Sequence, residues 1–253
     1  TFDPNLFVEG IDQQSWEQLN TSIDRPLLNR PLSGSYPPGS TYKPFMALAG
    51  LELGKRTSSS AISDPGYFFF GNHRFNDDKP GGHGIVDLYR SIVHSCDTYF
   101  YLLANDLGVD AMHDFMKPFG FGQLTGIDLE HEKTGLLPST AWKRKAYRKP
   151  EQKKWYAGET ISLGIGQGYN SFTPIQLAHS VAILANNGIV MKPHLVKIIE
   201  NGVSKERVMT VPKESYRINL KQENIDIIKK AMAGVPLEGT SKIAFAGSEY
   251  ISA

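Results

Sequence analysis

Ser40 and Lys43 stand three residues apart in Tyr36-Pro37-Pro38-Gly39-Ser40-Thr41-Tyr42-Lys43-Pro44-Phe45. If Ser40 opens a helix, Lys43 lies one turn on and on the same side, where its amine approaches the hydroxyl. A serine hydroxyl is a poor nucleophile until its proton is withdrawn, and a lysine withdraws it only when burial or a second cation depresses its pKa. Ser-x-x-Lys alone is common, and a capping serine beside a solvated lysine carries the same letters. Ser95-Cys96-Asp97 lies 55 residues downstream. A second serine with a short polar side chain two places on, at a break between helical segments, would relay a proton and orient the lysine.

Cys96 is the only cysteine, which excludes an internal disulfide framework and all-cysteine zinc sites. One reading is an inert, buried, small side chain. The other is a metal centre. His83 precedes Cys96 by 13 residues, Asp77 precedes His83 by six, and Asp64 opens the same irregular stretch. A thiolate, an imidazole and two carboxylates would make a closed tetrahedral zinc site of structural kind, with Asp78 and His73 as nearby substitutes.

The elements that must position these groups belong to a chain of 253 residues, 40% hydrophobic, with a formal net charge of +1. That length and composition supply a sizeable core and argue against disorder, a nucleic-acid coat or an embedded protein. Both ends read as cut. The opening Thr1-Phe2-Asp3-Pro4 shows no basic stretch with an apolar run behind it, as expected where such a leader or anchor has been removed, and Glu249 to Ala253 reads as the opening of a strand.

A buried helix is expected over Ser40 to Leu53, stopped by Gly54, followed by an irregular stretch over 55–84. Helical spacing returns from about Val86 to Leu107 with a break near Ser95, and again from Ala111 to Phe119. Thr173 and Pro174 open a further helix that closes at Asn187-Gly188. Strands are expected over Ile189 to Ile199 and Arg207 to Ile218, then a helix from Gln222 to Ala233 capped by Asn219. Helices in the middle and strands late, without repeats, predict an α+β fold. Residues 142–154 carry seven basic side chains against Glu151 alone, which predicts a solvated loop or, more sharply, a dock for an anionic membrane or acidic partner. Gly164 to Tyr169 lacks the lysine of a phosphate loop and reads as a tight turn beside the cleft. His94, His113, His131, His179 and His194 have no partner at ligand spacing.

Ser40-x-x-Lys43 and Ser95-Cys96-Asp97, in this order, resemble the first two motifs of the penicillin-recognising serine enzymes. The likeness extends over nearly the whole chain. Tyr36 to Phe45, Arg90 to Tyr101, Phe119 to Gly122, Thr125 to Leu129, Gly135-Leu136-Leu137-Pro138, Gly164 to Tyr169 and Thr173 to Gln176 are similar to class B penicillin-binding proteins, closest to the elongation-type penicillin-binding protein 2. Asp97 departs from the commoner asparagine of the second motif. Lys133-Thr134-Gly135 matches the letters of the third, Lys-Thr-Gly, but falls only 38 residues after Ser95 and in a loop, so it is rejected. The true third motif is expected just past Ala253.

The resemblance implies a penicillin-binding/β-lactamase-like transpeptidase fold over residues 1–253, a helix-rich lobe plus an antiparallel sheet, incomplete before the third-motif strand and without its N-terminal anchor and pedestal domain. It implies a peptidoglycan D,D-transpeptidase that cross-links stem peptides through an acyl-serine and is trapped by β-lactams. Ser40 would be the nucleophile, Lys43 the general base, Ser95 the relay, Asp97 a partner of the lysine, and the Ser40 N–H half of the oxyanion hole. Without the third motif, acylation by this chain alone would be slow or absent. Some members of the branch hold zinc beside the second motif, which favours Asp64, Asp77, His83 and Cys96 as ligands; no organic cofactor is implied. The expected partners are a RodA-type membrane glycosyltransferase and proteins of the elongation complex, at the outer, periplasmic side of a bacterial inner membrane, with no nucleic acid. Rivals are a serine β-lactamase or D,D-carboxypeptidase, although no Glu-x-x-Leu-Asn follows Ser95, and a non-enzymatic β-lactam sensor or scaffold.

Overall fold

The computed structural model describes residues 2–250 and 252. Helix α1 (Gln13–Thr21) and the single turn α2 (Arg30–Ser33) lie in the loop-rich, mostly exposed first segment. A 3-10 turn, Gly39–Tyr42, feeds α3 (Lys43–Glu52), and every residue from Lys43 to Leu51 is buried, as a helix apolar on all sides requires. Pro44 occupies the first turn of α3, where a missing N–H costs no hydrogen bond. The single helix expected from Ser40 therefore divides. Ser40 lies on the tighter turn and Lys43 is the first residue of the α-helix.

Residues 55–84 are less irregular than expected. They hold β1 (Ile62–Asp64), β2 (Tyr67–Phe70), β3 (His73–Asn76) and β4 (Gly84–Val86). β2 and β3 form a hairpin, while β1 pairs antiparallel with β4 and sets Asp64 opposite Gly84. Strands of three or four residues are too short to show a clear alternation in sequence.

The expected helical break is real: α4 (Leu88–Val93) and α5 (Asp97–Leu107) flank His94–Cys96. Helix α6 (Val109–Met116) follows Gly108 and ends in a 3-10 turn through Phe119. The basic stretch is not simply a loop, since it carries α7 (Thr140–Ala146) and α8 (Pro150–Lys153), with α9 (Gly158–Ile161) just beyond. Six of its seven basic side chains are exposed, but Lys143 is 3% exposed. Helix α10 (Pro174–Ala185) opens on a full capping box in which Thr173 and Gln176 each accept the other's backbone N–H.

The two late strands break into four, β5 (Ile189–Met191), β6 (Ile198–Glu200), β7 (Arg207–Met209) and β8 (Glu214–Arg217). β5 pairs with β8 and β6 with β7, both antiparallel. Pro193 and Pro212 fall in the gaps, and neither has an N–H to give to a ladder. Among the described residues the β component is thus four two-stranded ladders rather than one sheet. Helix α11 (Gln222–Glu238) runs beyond Ala233 and packs on α3 and α4. Its N-cap is Lys221, not Asn219. The terminus is held instead by Glu52 at the end of α3, whose Oε1 accepts from the Lys221 N–H and from Asn224 Nδ2, both at 2.9 Å. Glu249 and Tyr250 lie in a bend rather than at the start of a strand, and Ile251 and Ala253 of that expected strand lie outside the described residues.

Candidate active site

Lys43 is 2% exposed, and an ammonium removed from water needs acceptors on every proton. Its Nζ donates to Asp97 Oδ1 at 2.5 Å, to the Ser95 carbonyl at 2.6 Å and to Ser95 Oγ at 2.9 Å. Ser95 Oγ in turn lies 2.9 Å from Ser40 Oγ. The four sequence candidates therefore meet, with one change of order. Among the described residues Lys43 makes no hydrogen bond to Ser40; the link between them runs through Ser95.

That link requires Ser95 to be placed where helix would not put it. Ser95 has φ +56°, the left-handed region that L-residues adopt at a cost, between the last turn of α4 and the first of α5. This conformation brings its Oγ and its carbonyl to the same ammonium. Asp97 is the first residue of α5, where a carboxylate also suits the helix N-terminus. Burial pushes the Asp97 carboxyl up from its ordinary range, and Lys43 only partly opposes this.

On the Ser40 side, Gly39 takes φ +58° and donates its N–H to the Gly166 carbonyl at 3.1 Å. Gly166 itself has φ +71°, and a Cβ there would strike Gly39, so the tight turn read at Gly164 to Tyr169 is what backs the Ser40 turn. The Ser40 N–H, at the start of the 3-10 turn, has no backbone or side-chain acceptor within the described residues. Ser40, Lys43 and Ser95 border a hollow of about 340 Å³ that apolar Val181, Met232 and Val235 also line. Lys133-Thr134-Gly135 is not on it. That triplet packs against Ser171 and Gln176 on a different hollow.

The second cluster backs the same loop. One ligand atom from each of Asp64, Asp77, His83 and Cys96 lies within 4.8 Å of the others. His83 Nδ1 is 2.8 Å from Asp64 Oδ2 and 3.3 Å from Asp77 Oδ1, and Cys96 Sγ is 3.5 Å from a carboxylate oxygen of each aspartate. Neither His73 nor Asp78 belongs to the group. Burial pushes the Asp64 and Asp77 carboxyls up, but hydrogen bonds outweigh it and leave both below the ordinary range; the Gly66 and His83 amides donate to Asp64, and the Thr98 and Lys79 amides to Asp77. The Cys96 thiol is raised by burial first and by the two aspartates after it. Of the other histidines, His94 stacks on His83 with centroids 6.1 Å apart, and His113 and His179 bond backbone carbonyls. Sequence reasoning missed the Thr98 amide, which donates to Asp77 Oδ2 at 2.8 Å and ties the cluster to α5.

With this geometry in place, comparison with known proteins is decisive for the family. The model of the penicillin binding protein transpeptidase domain matches residues 1–253. The chain belongs to that family. It is 44% identical over 244 residues to the peptidoglycan D,D-transpeptidase MrdA of Acinetobacter baumannii, covering 96% of this chain and 36% of that relative. The solved structure of Pseudomonas aeruginosa PBP2 in complex with WCK 5153 is 45% identical, with a TM-score of 0.86, over 99% of this chain and 56% of the other. PBP2 of Helicobacter pylori, solved as a complex with MreC, is 30% identical with a TM-score of 0.83, over 99% of this chain and 45% of the other. The fold is therefore the penicillin-binding transpeptidase fold. The chain spans little more than a third of the length of the curated relatives it matches.

Asp97→Ala leaves a buried ammonium without its counter-charge, and we expect it to cost roughly 3 kcal/mol in denaturant unfolding. Asp97→Asn keeps an acceptor and should cost clearly less. Equal stability of Asp97→Ala and the unsubstituted protein contradicts the buried pair.

Proposed function

We propose that this chain carries the cross-linking site of a peptidoglycan D,D-transpeptidase working through an acyl-serine on Ser40. The observation that carries the reading is the unbroken hydrogen-bonded path Ser40 Oγ to Ser95 Oγ to Lys43 Nζ beside an unpaired Ser40 N–H. It is supported by membership of a family whose relatives bear the name D,D-transpeptidase.

In the resting arrangement the donors run from Lys43 to Ser95 to Ser40. Acylation runs the protons the other way, and this needs a free amine. Nζ of Lys43 lies 2.5 Å from Asp97 Oδ1, so passing one ammonium proton along that hydrogen bond would supply the free amine. Ser40 Oγ then attacks the carbonyl carbon of the penultimate D-Ala. The Ser40 proton passes to Ser95 as the Ser95 proton passes to Lys43, and the developing oxyanion takes the Ser40 N–H. Collapse breaks the peptide bond, Lys43 returns its proton through Ser95 to the leaving nitrogen, and D-Ala departs. An acceptor amine repeats the sequence and carries the acyl group away. A β-lactam, whose ring amide stands in for the same carbonyl, would stop at the acyl-serine.

Asp64, Asp77, His83 and Cys96 suit a zinc ion. They offer one sulfur, one nitrogen and two carboxylates, buried and mutually close, and among the described residues no lysine or arginine pairs with either aspartate. Bound there, zinc would supply a structural clip and neutralise the aspartates. The residues' own role is to fix the Ser95 loop, through Cys96 and through the Thr98 amide. In the cell the expected setting is the periplasmic side of the inner membrane, with a RodA-type glycosyltransferase and MreC-like elongation proteins as partners; no helix among the described residues is long and apolar enough to cross a membrane.

Two outcomes check this. The full-length protein should insert a labelled D-amino acid into cross-linked peptidoglycan, and Ser40→Ala should reduce insertion to background; undiminished insertion overturns the reading. Elemental analysis should find about one zinc per chain, lost in His83→Ala with a lower melting temperature. Metal-free protein of unchanged stability removes the zinc site and leaves the acyl-serine reading intact.

A further inference from the structure

Lys143 is the one member of the basic stretch that turns inward. Its Nζ pairs with Glu159 Oε1 and lies 5.4 Å from the ring centroids of Trp155 and Tyr156, 5.6 Å from Tyr169 and 6.0 Å from Tyr147. Glu159 is saturated in turn. Its Oε1 also accepts the Tyr169 hydroxyl at 3.0 Å and its Oε2 the Tyr156 N–H at 2.9 Å. A lysine taken out of water is costly unless its surroundings are complete, and here four aromatic faces and a carboxylate complete them.

Tyr169 connects this box to the catalytic candidates. It follows Gly168 at the end of the Gly164–Gly168 turn, whose Gly166 carbonyl accepts the Gly39 N–H directly before Ser40. The other flank of the turn lies on α5. A Cβ on Gly164 would strike the Phe100 carbonyl and come within 2.8 Å of Ala104 Cβ. Helix α5 begins with Asp97, and Lys43 Nζ sits 5.6 Å from the Phe100 ring. One turn therefore touches both the strand of chain that carries the nucleophile and the helix that carries the partner of Lys43, and the Lys143 box fastens its end.

We propose that Lys143 and Glu159 are a positioning pair that sets, through Tyr169 and the Gly164–Gly168 turn, the alignment of Ser40 with Ser95 and α5. The inference rests on the acyl-serine reading for its consequence in rate. Losing the pair lets the Ser40 turn drift relative to Ser95, and small displacements of a nucleophile are expensive in rate while hardly affecting ligand docking.

The test uses the full-length protein as Lys143→Met, Glu159→Gln and the double variant, with a chromogenic β-lactam in stopped flow and amide exchange by mass spectrometry. Lys143→Met is expected to lower the acylation rate constant roughly tenfold or more, with the dissociation constant of the preceding complex held within about twofold. Exchange should quicken in both 164–169 and 36–42. In the double variant the unpaired carboxylate is gone, so melting temperature recovers while acylation stays slow. A rate constant within twofold of the unsubstituted protein overturns the proposal, as does a rate that recovers together with stability. Should Lys143→Met fail to fold, Tyr169→Phe, which removes only the hydroxyl held by Glu159, must slow acylation severalfold; an unchanged rate overturns the pair. If the unsubstituted protein is not acylated at all, the acyl-serine reading falls. Exchange then decides the positioning separately, and unaltered exchange at 36–42 refutes it.

Discussion

A lysine side chain 2% exposed at the head of an apolar helix is the constraint to which the surrounding structure answers. Its ammonium is tolerable only if three acceptors converge on it, and all three come from one tripeptide, Ser95-Cys96-Asp97. That demand explains why the α4–α5 helical run must break. An uninterrupted helix would use the Ser95 carbonyl in its own ladder, and Ser95 would have ordinary helical φ rather than +56°. The strain is local, and its reward is a carbonyl, a hydroxyl and a carboxylate facing one amine.

A loop held in such a conformation needs bracing, and it is braced from two sides. Behind it, Cys96 is fully buried against Asp64 and Asp77, which reach it because β1 pairs with β4 and brings His83 back beside Asp64. In front, Ser40 is held by a 3-10 turn whose Gly39 leans on Gly166. The two sides are joined by the Ser95–Ser40 hydrogen bond and by α3 and α5, which pack together and each carry one end of the Lys43–Asp97 pair. Sequence pattern, packing and chemistry converge there on a single ion pair.

The catalytic candidates were legible because their information is short-range: a serine and lysine one turn apart, a polar triplet at a break, a histidine and cysteine within 13 residues. The α+β class and the buried α3 followed from periodicity. What sequence could not show depends on distant partners. Ser95 stands between Ser40 and Lys43 only because α5 packs on α3. Glu52 caps α11 across 169 residues, a partner that no local pattern around Asn219 reveals. Lys143 sits in a run of like charges that reads as solvated, and its inward turn depends on Glu159 and Tyr169, 16 and 26 residues on. The strands at 62–86 are too short for a period, and Pro193 and Pro212 divided the late strands more finely than their apolar content suggested.

The claim that the amine reaches the nucleophile through a second hydroxyl is tested most directly by single-turnover acylation of the full-length protein, comparing Ser95→Ala with the unsubstituted enzyme. Loss of the relay should lower the acylation rate constant roughly 100-fold or more while Ser40 remains the modified residue. An acylation rate constant untouched by Ser95→Ala would mean that Lys43 serves Ser40 directly, against the order of contacts that the structure presents.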